Sequence, residues 1–403
     1  MISVAEAVSI IEKHVYSFST VYAPLEDSTG HILAEKVTAD RDFPPFDRVM
    51  MDGIAVAFDD ANSSKGVFAI TGLITAGTKK KILNSEEACE IMTGAVLPEG
   101  LDTVIPYEDV QIEENNGNKV AKIDINHINK GQNIHPQASD VKKGEVIIQP
   151  GTLISPAEIA ILATVGKSTV KIAKPLPVAI ISTGDELVDV SQIPEPHQIR
   201  KSNSYALSST LKQLGCNADQ YHLIDDKPVI KERIAKLLTD YDVLILSGGV
   251  SKGKKDFVPE VLEELKVEKL FHRVKQRPGK PFWFGKSENG TLVFAFPGNP
   301  VSTFLCFQKY FKPWLNKCRG LVVPEQFARL VDDFNFKPQL TYFLSVKVVN
   351  RQGVLSAEPL PGGGSGDLAN LTRVDGFLEL PEDKDHFVAG ESYPYVPFRK
   401  GVS

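Results

Sequence analysis

Residues 242–256, DVLILSGGVSKGKKD, constrain the fold more than any other stretch of this chain. The four apolar residues 243–246 are too few for a helix. Their aliphatic and β-branched make-up is that of a strand buried on both faces, as in a parallel sheet covered by helices. The strand stops at Gly248 and Gly249, which let the backbone turn tightly and approach a ligand, and then come Ser251, three lysines and Asp256. The arrangement recurs: 178–182 runs into Thr183-Gly184-Asp185-Glu186, 221–224 into Asp225-Asp226, and 292–296 into Pro297-Gly298-Asn299-Pro300. Ligands of open α/β sheets sit beyond the carboxyl ends of strands, where backbone donors and helix N-termini converge, so four such ends imply one shared site. Taken singly, each is equally an ordinary surface turn, because Gly, Asp and Pro are favoured in turns generally.

A chain of 403 residues exceeds what one hydrophobic core usually supports, so two to four domains are expected. No apolar run reaches the roughly 18 residues of a membrane span. Glu6 and Glu12 interrupt the N-terminus, which reads as an amphipathic helix (Val4, Val8, Ile11, Val15) and not as a signal peptide. Cys89, Cys216, Cys306 and Cys318 are scattered without a CxxC pair, and the histidines form no HExxH, which fits a reducing cytoplasm and disfavours a zinc site. A net charge of −6 argues against general nucleic-acid affinity. The sign reverses locally at Lys252, Lys254, Lys255, Arg273, Lys275, Arg277 and Lys280, a group that is either solvated surface or the cradle of an anion.

From about residue 174 to 320 strands alternate with helical patterns at 204–214, 228–238, 259–265 and 301–316, which predicts a doubly wound α/β domain. Asn203 is placed to cap the first helix and Gly215 to end it. The flanks read as β-rich. Asn116-Gly117 separates two short strands as a hairpin, and beyond Pro324 strands at 342–349 and 354–357 flank a turn at Gln352-Gly353. The run 361–367, PGGGSGD, reads as a mobile loop, more linker than phosphate loop. Two segments stand out in the front half: FPPFDRVMMDGIAV, joining a proline turn to the Asp52-Gly53 corner, and IMTGAVLP, which sets Thr93 beside a glycine.

In order along the chain, PPFDRVMMDGIAV, IMTGAVLP, GQNIHPQASDVKKGE, ISTGDEL, SNSYAL, SGGVSKGKKD, RPGKP and FPGNPVSTF resemble the motifs of the molybdopterin molybdenumtransferase family. That family includes the bacterial MoeA proteins and the E-domains of gephyrin and of its plant counterpart. The resemblance covers essentially the whole chain. It implies a multidomain α/β plus β fold: an N-terminal helix (1–20), a linking domain (21–44 plus 141–173), a β-rich domain contributing to the partner subunit's site (45–140), a MogA-like doubly wound α/β domain (174–322) and a small barrel-like C-terminal β domain (323–403). It also implies an elongated homodimer with each active site shared between subunits.

The implied reaction takes adenylylated molybdopterin and molybdate, releases AMP and requires a divalent ion, Mg²⁺. Upstream stands a MogA-like adenylyltransferase and downstream are molybdoenzymes. On this reading Asp225 and Asp256, with Glu186 close by, hold the ion, while Arg273, Arg277 and Lys280 stabilise charge on the leaving AMP. Asp52, with Thr93, orients or deprotonates the attacking oxygen. Pro297, Asn299, Pro300, Ser302 and Lys280 form an oxyanion pocket at a helix start, with Ser365 closing it. Ser302, Pro297 and Pro300 serve equally well as plain helix-entry residues.

Two departures bear on this. His135-Pro136-Gln137 stands where relatives usually carry arginine, and 340–345 lacks an arginine that many relatives place near the anion pocket. The rival activities are adenylyl transfer to molybdopterin, which the shared α/β domain would permit, and a gephyrin-like scaffold.

Overall fold

The computed structural model describes residues 1–115, 117–251 and 256–399, and divides into two units. The first comprises 1–34, 151–156 and 169–399, the second 35–150 and 157–168.

At the centre of the first unit is a six-stranded sheet ordered Ala218–Leu223, Val178–Thr183, Val243–Ser247, Leu292–Phe296, Trp283–Lys286, Glu268–His272. The first four strands are parallel and the last two antiparallel. Three of them are buried at every position, which is why they read as unbroken apolar runs. Successive side chains still alternate between faces. Val243 and Ile245 pack with the helix Asn203–Gln213, the helical segment beginning at Pro300 and the N-terminal helix Val4–Glu12. Leu244 and Leu246 pack with Lys227–Asp240 and Val258–Glu264. The N-terminal helix starts with a capping box in which Ser3 and Glu6 satisfy each other's backbone N–H groups.

In the same unit the chain closes a five-stranded barrel. Thr341–Arg351 pairs with both Val354–Pro359 and Gly376–Leu380, and Gln326–Leu330 and Ser392–Pro397 complete the circuit. Gln276–Arg277, which belongs in sequence to the α/β region, adds to the barrel as a parallel edge against Thr341 and Tyr342. The cationic loop is thereby tied to both architectures.

In the second unit a mixed six-stranded sheet runs Thr103–Pro106, Gly53–Val56, Glu87–Ile91, Val67–Ile74, Asn118–Ile123, Val110–Asn115, with an apolar cluster on each face. The last two strands form the expected hairpin, although Asn116 of its turn lies outside the described residues. Gly53 is obligatory in this sheet, since a Cβ there would overlap the Ile105 carbonyl of the adjoining strand.

Two readings of local structure change. Asn203 is not a cap: Ser202 occupies that position, and Asn203 is the first helical residue with its side chain directed elsewhere. The helix expected at 301–316 is three segments, Pro300–Cys306, a π-turn Phe307–Phe311, and Lys312–Cys318.

Candidate active site

A cavity of about 950 Å³ lies in the first unit at the carboxyl ends of the parallel strands. It is lined by Ser182, Thr183, Gly184 and Glu186 from one strand end and by Ser247, Gly248, Gly249, Ser251 and Asp256 from the next. Pro297, Gly298, Asn299, Pro300 and Ser302 come from a third, and Asp225 from the fourth. Gln276, Arg277 and Lys280 enter from the cationic loop. The barrel contributes Leu340, Tyr342, Phe343 and Ser345, and the glycine-rich run contributes 361–365. Arg273 does not line the cavity; its backbone pairs with Ile2 and with Phe282. Lys252, Lys254 and Lys255 lie outside the described residues.

The glycine pair is dictated by close packing. At Gly248 the backbone has φ +102°, and a Cβ would sit 2.8 Å from the Thr183 hydroxyl and 2.9 Å from its carbonyl oxygen. At Gly249 a Cβ would come within 2.7 Å of Val258. Only glycine lets these two strand ends meet.

The amide of Asn203 draws three elements together. Its Nδ2 donates to the Gly298 carbonyl at 2.7 Å, to Ser247 Oγ at 2.8 Å and to Thr303 Oγ1 at 3.2 Å. These acceptors fix the Pro297–Pro300 turn against the central strand. Asn299 Nδ2 in turn donates to Ser365 Oγ at 2.8 Å, and the Val301 N–H donates to the Ser365 carbonyl at 3.1 Å. The glycine-rich run is therefore tied down, not a free linker. Asp367 accepts from the Gly363 N–H, and Asn370, itself buried, donates to the Leu360 carbonyl.

Beneath the cationic loop, fully buried Gln276 accepts from the Tyr310 hydroxyl and donates to the Pro278 carbonyl at 2.9 Å. A side chain on Gly279 would strike Gln276 Nε2 and the buried thiol of Cys306. The Pro278-Gly279 turn thus rests on an apolar floor with one polar strut. Burial holds the Cys306 thiol and the Tyr310 phenol in their neutral forms by raising both pKa values.

The adjacent acids at the fourth strand end take different parts. Asp226 caps the helix Lys227–Asp240 through the Val229 N–H, whereas Asp225 lines the cavity with its backbone N–H donated to Asp185. Among the described residues no group of three or more His, Cys, Asp or Glu is placed to hold a metal ion. Asp225, Asp256 and Glu186 all line the cavity, each from a different strand end.

Asp52 and Thr93 belong to the second unit and form a pair of their own. Asp52 Oδ1 accepts from both the N–H and the hydroxyl of Thr93, each at 2.7 Å. Those two donors hold the exposed carboxyl below its usual pKa, so it is a carboxylate at neutral pH. In the same unit His135 Nδ1 accepts from Arg48 at 3.0 Å while Nε2 faces Asp140 at 2.8 Å, so this histidine joins a polar chain of its own.

Sequence reasoning did not single out Asn203, Gln276, Tyr342 or Ser345 as site residues. For Asn203 the signal was present, since a polar residue opens a helix two positions after the basic pair Arg200-Lys201, which also lines the cavity. For Tyr342 and Ser345 there was none, because their placement depends on barrel closure.

Family profiles match nearly the whole chain: "MoeA N-terminal region (domain I and II)" over residues 2–166, "Probable molybdopterin binding domain" over 179–317, and "MoeA C-terminal region (domain IV)" over 328–398. A protein of Synechocystis sp. named molybdopterin molybdenumtransferase is 43% identical over 98% of this chain and 99% of its own length. One of the same name from Staphylococcus epidermidis is 32% identical over 96% of this chain and 94% of its own. The crystal structure of a molybdopterin biosynthesis MoeA protein from Pyrococcus horikoshii is 30% identical and superposes with a TM-score of 0.82, covering both chains completely. With profile matches along the chain and full-length relatives above 30% identity, the chain belongs to the molybdopterin molybdenumtransferase (MoeA) family.

Proposed function

We propose that the protein inserts molybdenum from molybdate into adenylylated molybdopterin with release of AMP, acting as a homodimer with Mg²⁺. The observation that carries this reading is that one cavity at glycine-lined strand ends is lined by carboxylates (Glu186, Asp225, Asp256) and by cations (Arg277, Lys280) alike. A ligand bearing a phosphoanhydride and a separate tetrahedral dianion both need such a cradle.

In this reading Gly248 and Gly249 admit the nucleotide close to the backbone, and Arg277 and Lys280 offset the charge that builds on the departing AMP. Asn299 and Ser365, held by the hydrogen bonds described above, bound the oxyanion end together with Ser302. Asp225 and Asp256, with Glu186, would hold Mg²⁺, whose contribution when bound is to polarise the phosphoanhydride. Asp52, ionised and oriented by Thr93, supplies from the partner subunit a carboxylate that orients or deprotonates the attacking oxygen species. The front-half carboxylate then has a task that its separation in sequence from Asp225 and Asp256 would otherwise leave unexplained.

The test is to incubate purified protein with adenylylated molybdopterin, molybdate and Mg²⁺, following AMP by chromatography and molybdenum in the pterin product by elemental analysis. AMP and product molybdenum should rise together. Failure to release AMP, or adenylylated product formed from ATP and molybdopterin by this protein alone, would contradict the assignment; the second result would favour the adenylyltransferase reading.

A further inference from the structure

On the barrel side the cavity is lined by Leu340, Ser345 and Tyr342. Tyr342 is held unusually firmly for a cavity residue. Its ring stacks on Phe336 with centroids 4.2 Å apart and planes 14° from parallel, and on Phe334 at 5.6 Å and 3°. Tyr342 lines the cavity with its ring stacked on both neighbours, and its hydroxyl is the one group on it able to donate to a ligand. Among the described residues that hydroxyl has no hydrogen-bond partner, in contrast to Tyr16, Tyr107, Tyr241 and Tyr310, whose hydroxyls each donate to a side-chain oxygen.

Register supplies the second half of the argument. Arg277 and Tyr342 lie opposite each other across the short parallel pairing that joins the cationic loop to the barrel, and both line the cavity. The Arg277 guanidinium lies 6.0 Å from the Phe336 ring centroid, so cation and phenol share one aromatic bed. Burial raises the phenol's pKa against the lowering effect of Arg277, which leaves it a protonated donor at neutral pH.

Building on the molybdotransferase reading, we infer that Tyr342 is a substrate-contacting residue whose O–H joins the Arg277 guanidinium in a two-donor clamp for an oxyanion oxygen. The chemistry is shared by molybdate and by the phosphate of the nucleotide, and the stack fixes where that oxygen sits. Because the donor arrives on a rigid ring, little conformational freedom is lost on binding.

Tyr342→Phe removes the donor and keeps the aromatic stack. Affinity of the full-length protein for molybdate and, separately, for AMP is measured by calorimetry in the presence of Mg²⁺, with thermal unfolding recorded for both proteins. One charge-assisted hydrogen bond corresponds to about tenfold in affinity or somewhat more. A loss of about tenfold for molybdate alone supports the clamp and places it at the oxyanion end, and the same loss for AMP alone supports it at the phosphate end. In either case the ligand should also perturb the tyrosine near-ultraviolet spectrum of the wild type and not of the variant, a signature that a purely structural tyrosine would not give. Wild-type binding with unchanged affinity in Tyr342→Phe for both ligands overturns the inference and leaves the molybdotransferase reading standing. Failure of the wild type to bind either ligand overturns both.

Discussion

The two hydrogen bonds from Thr93 to Asp52 set the charge of an exposed carboxyl that the proposed chemistry uses. A carboxyl whose pKa is lowered remains ionised as the pH falls through the ordinary carboxylate range, and removing a donor lets its pKa climb back. Thr93→Val, which keeps the backbone N–H but deletes the hydroxyl, should move the acidic limb of the rate–pH profile upward and leave the alkaline limb in place. An unchanged profile would separate Asp52 from catalysis. Gly248 makes a second residue-scale test. An alanine methyl there meets the Thr183 hydroxyl and carbonyl at a φ of +102°, so Gly248→Ala should cost about 1–3 kcal/mol in urea unfolding and lower affinity for AMP. At this scale the sequence was informative about residue type and silent about partners. Gly248 was legible because a glycine pair that ends an apolar run marks a sharp backbone turn at a strand end. The need for glycine at position 53, by contrast, was not legible, because it comes from the Ile105 carbonyl of the adjoining strand.

Secondary elements were legible wherever both faces are buried. The strands Val178–Thr183, Val243–Ser247 and Leu292–Phe296 appear in the sequence almost to the residue, because burial on both sides makes the body of each an unbroken apolar run, with polar residues only at the ends (Ser182, Thr183, Ser247). The helix after Pro300 was legible in extent and not in form. Pro313 has no N–H to return to residue 309 and its ring crowds that turn, and the chain widens into a π-turn over Phe307–Phe311 just before it. That widening brings Tyr310 to Gln276, beneath the cationic loop. Asn203 was misread as a cap because a helix-opening asparagine has two outlets for its amide, its own helix or its neighbours, and here three neighbouring acceptors win. Asn203→Asp is nearly isosteric but cannot donate, so it should weaken molybdate binding by about tenfold or more by releasing the Pro297–Pro300 turn. Its unfolding midpoint should fall only modestly. Retained affinity in a folded Asn203→Asp protein would remove the positioning role.

For the whole molecule, the proposed sharing of each site between subunits predicts complementation. Asp52→Ala and Asp256→Ala proteins should each fall by about 10² or more in rate. Random co-assembly of the two should restore about a quarter of wild-type activity, because half the dimers are mixed and each mixed dimer rebuilds one site from its unmutated halves. No recovery on co-expression would confine each site to one chain. Global stability should also respond to pH. Burial lowers the pKa of His14, His31 and His272, so each is preferentially neutral in the folded protein. The unfolded chain then takes up more protons below about pH 6.5. Their stabilising contribution is complete above that pH and shrinks as the pH falls toward the lowered folded values. The thermal midpoint should therefore drop between about pH 7.5 and about pH 5.5, and His31→Gln should flatten the slope. At this scale motif order was enough to indicate the family, but the joining of the Gln276–Arg277 edge to the barrel was not legible, since barrel register is fixed by long-range pairing that no local pattern records. The most direct measurement of the central claim is a crystal of the protein soaked with AMP, Mg²⁺ and molybdate. The account predicts both anions in the one cavity, with the AMP phosphate over Gly248 and Gly249, molybdate among Lys280, Ser302 and Ser365, and Asp52 of the partner subunit facing them. Anions bound elsewhere, with the cavity empty of both, would contradict it.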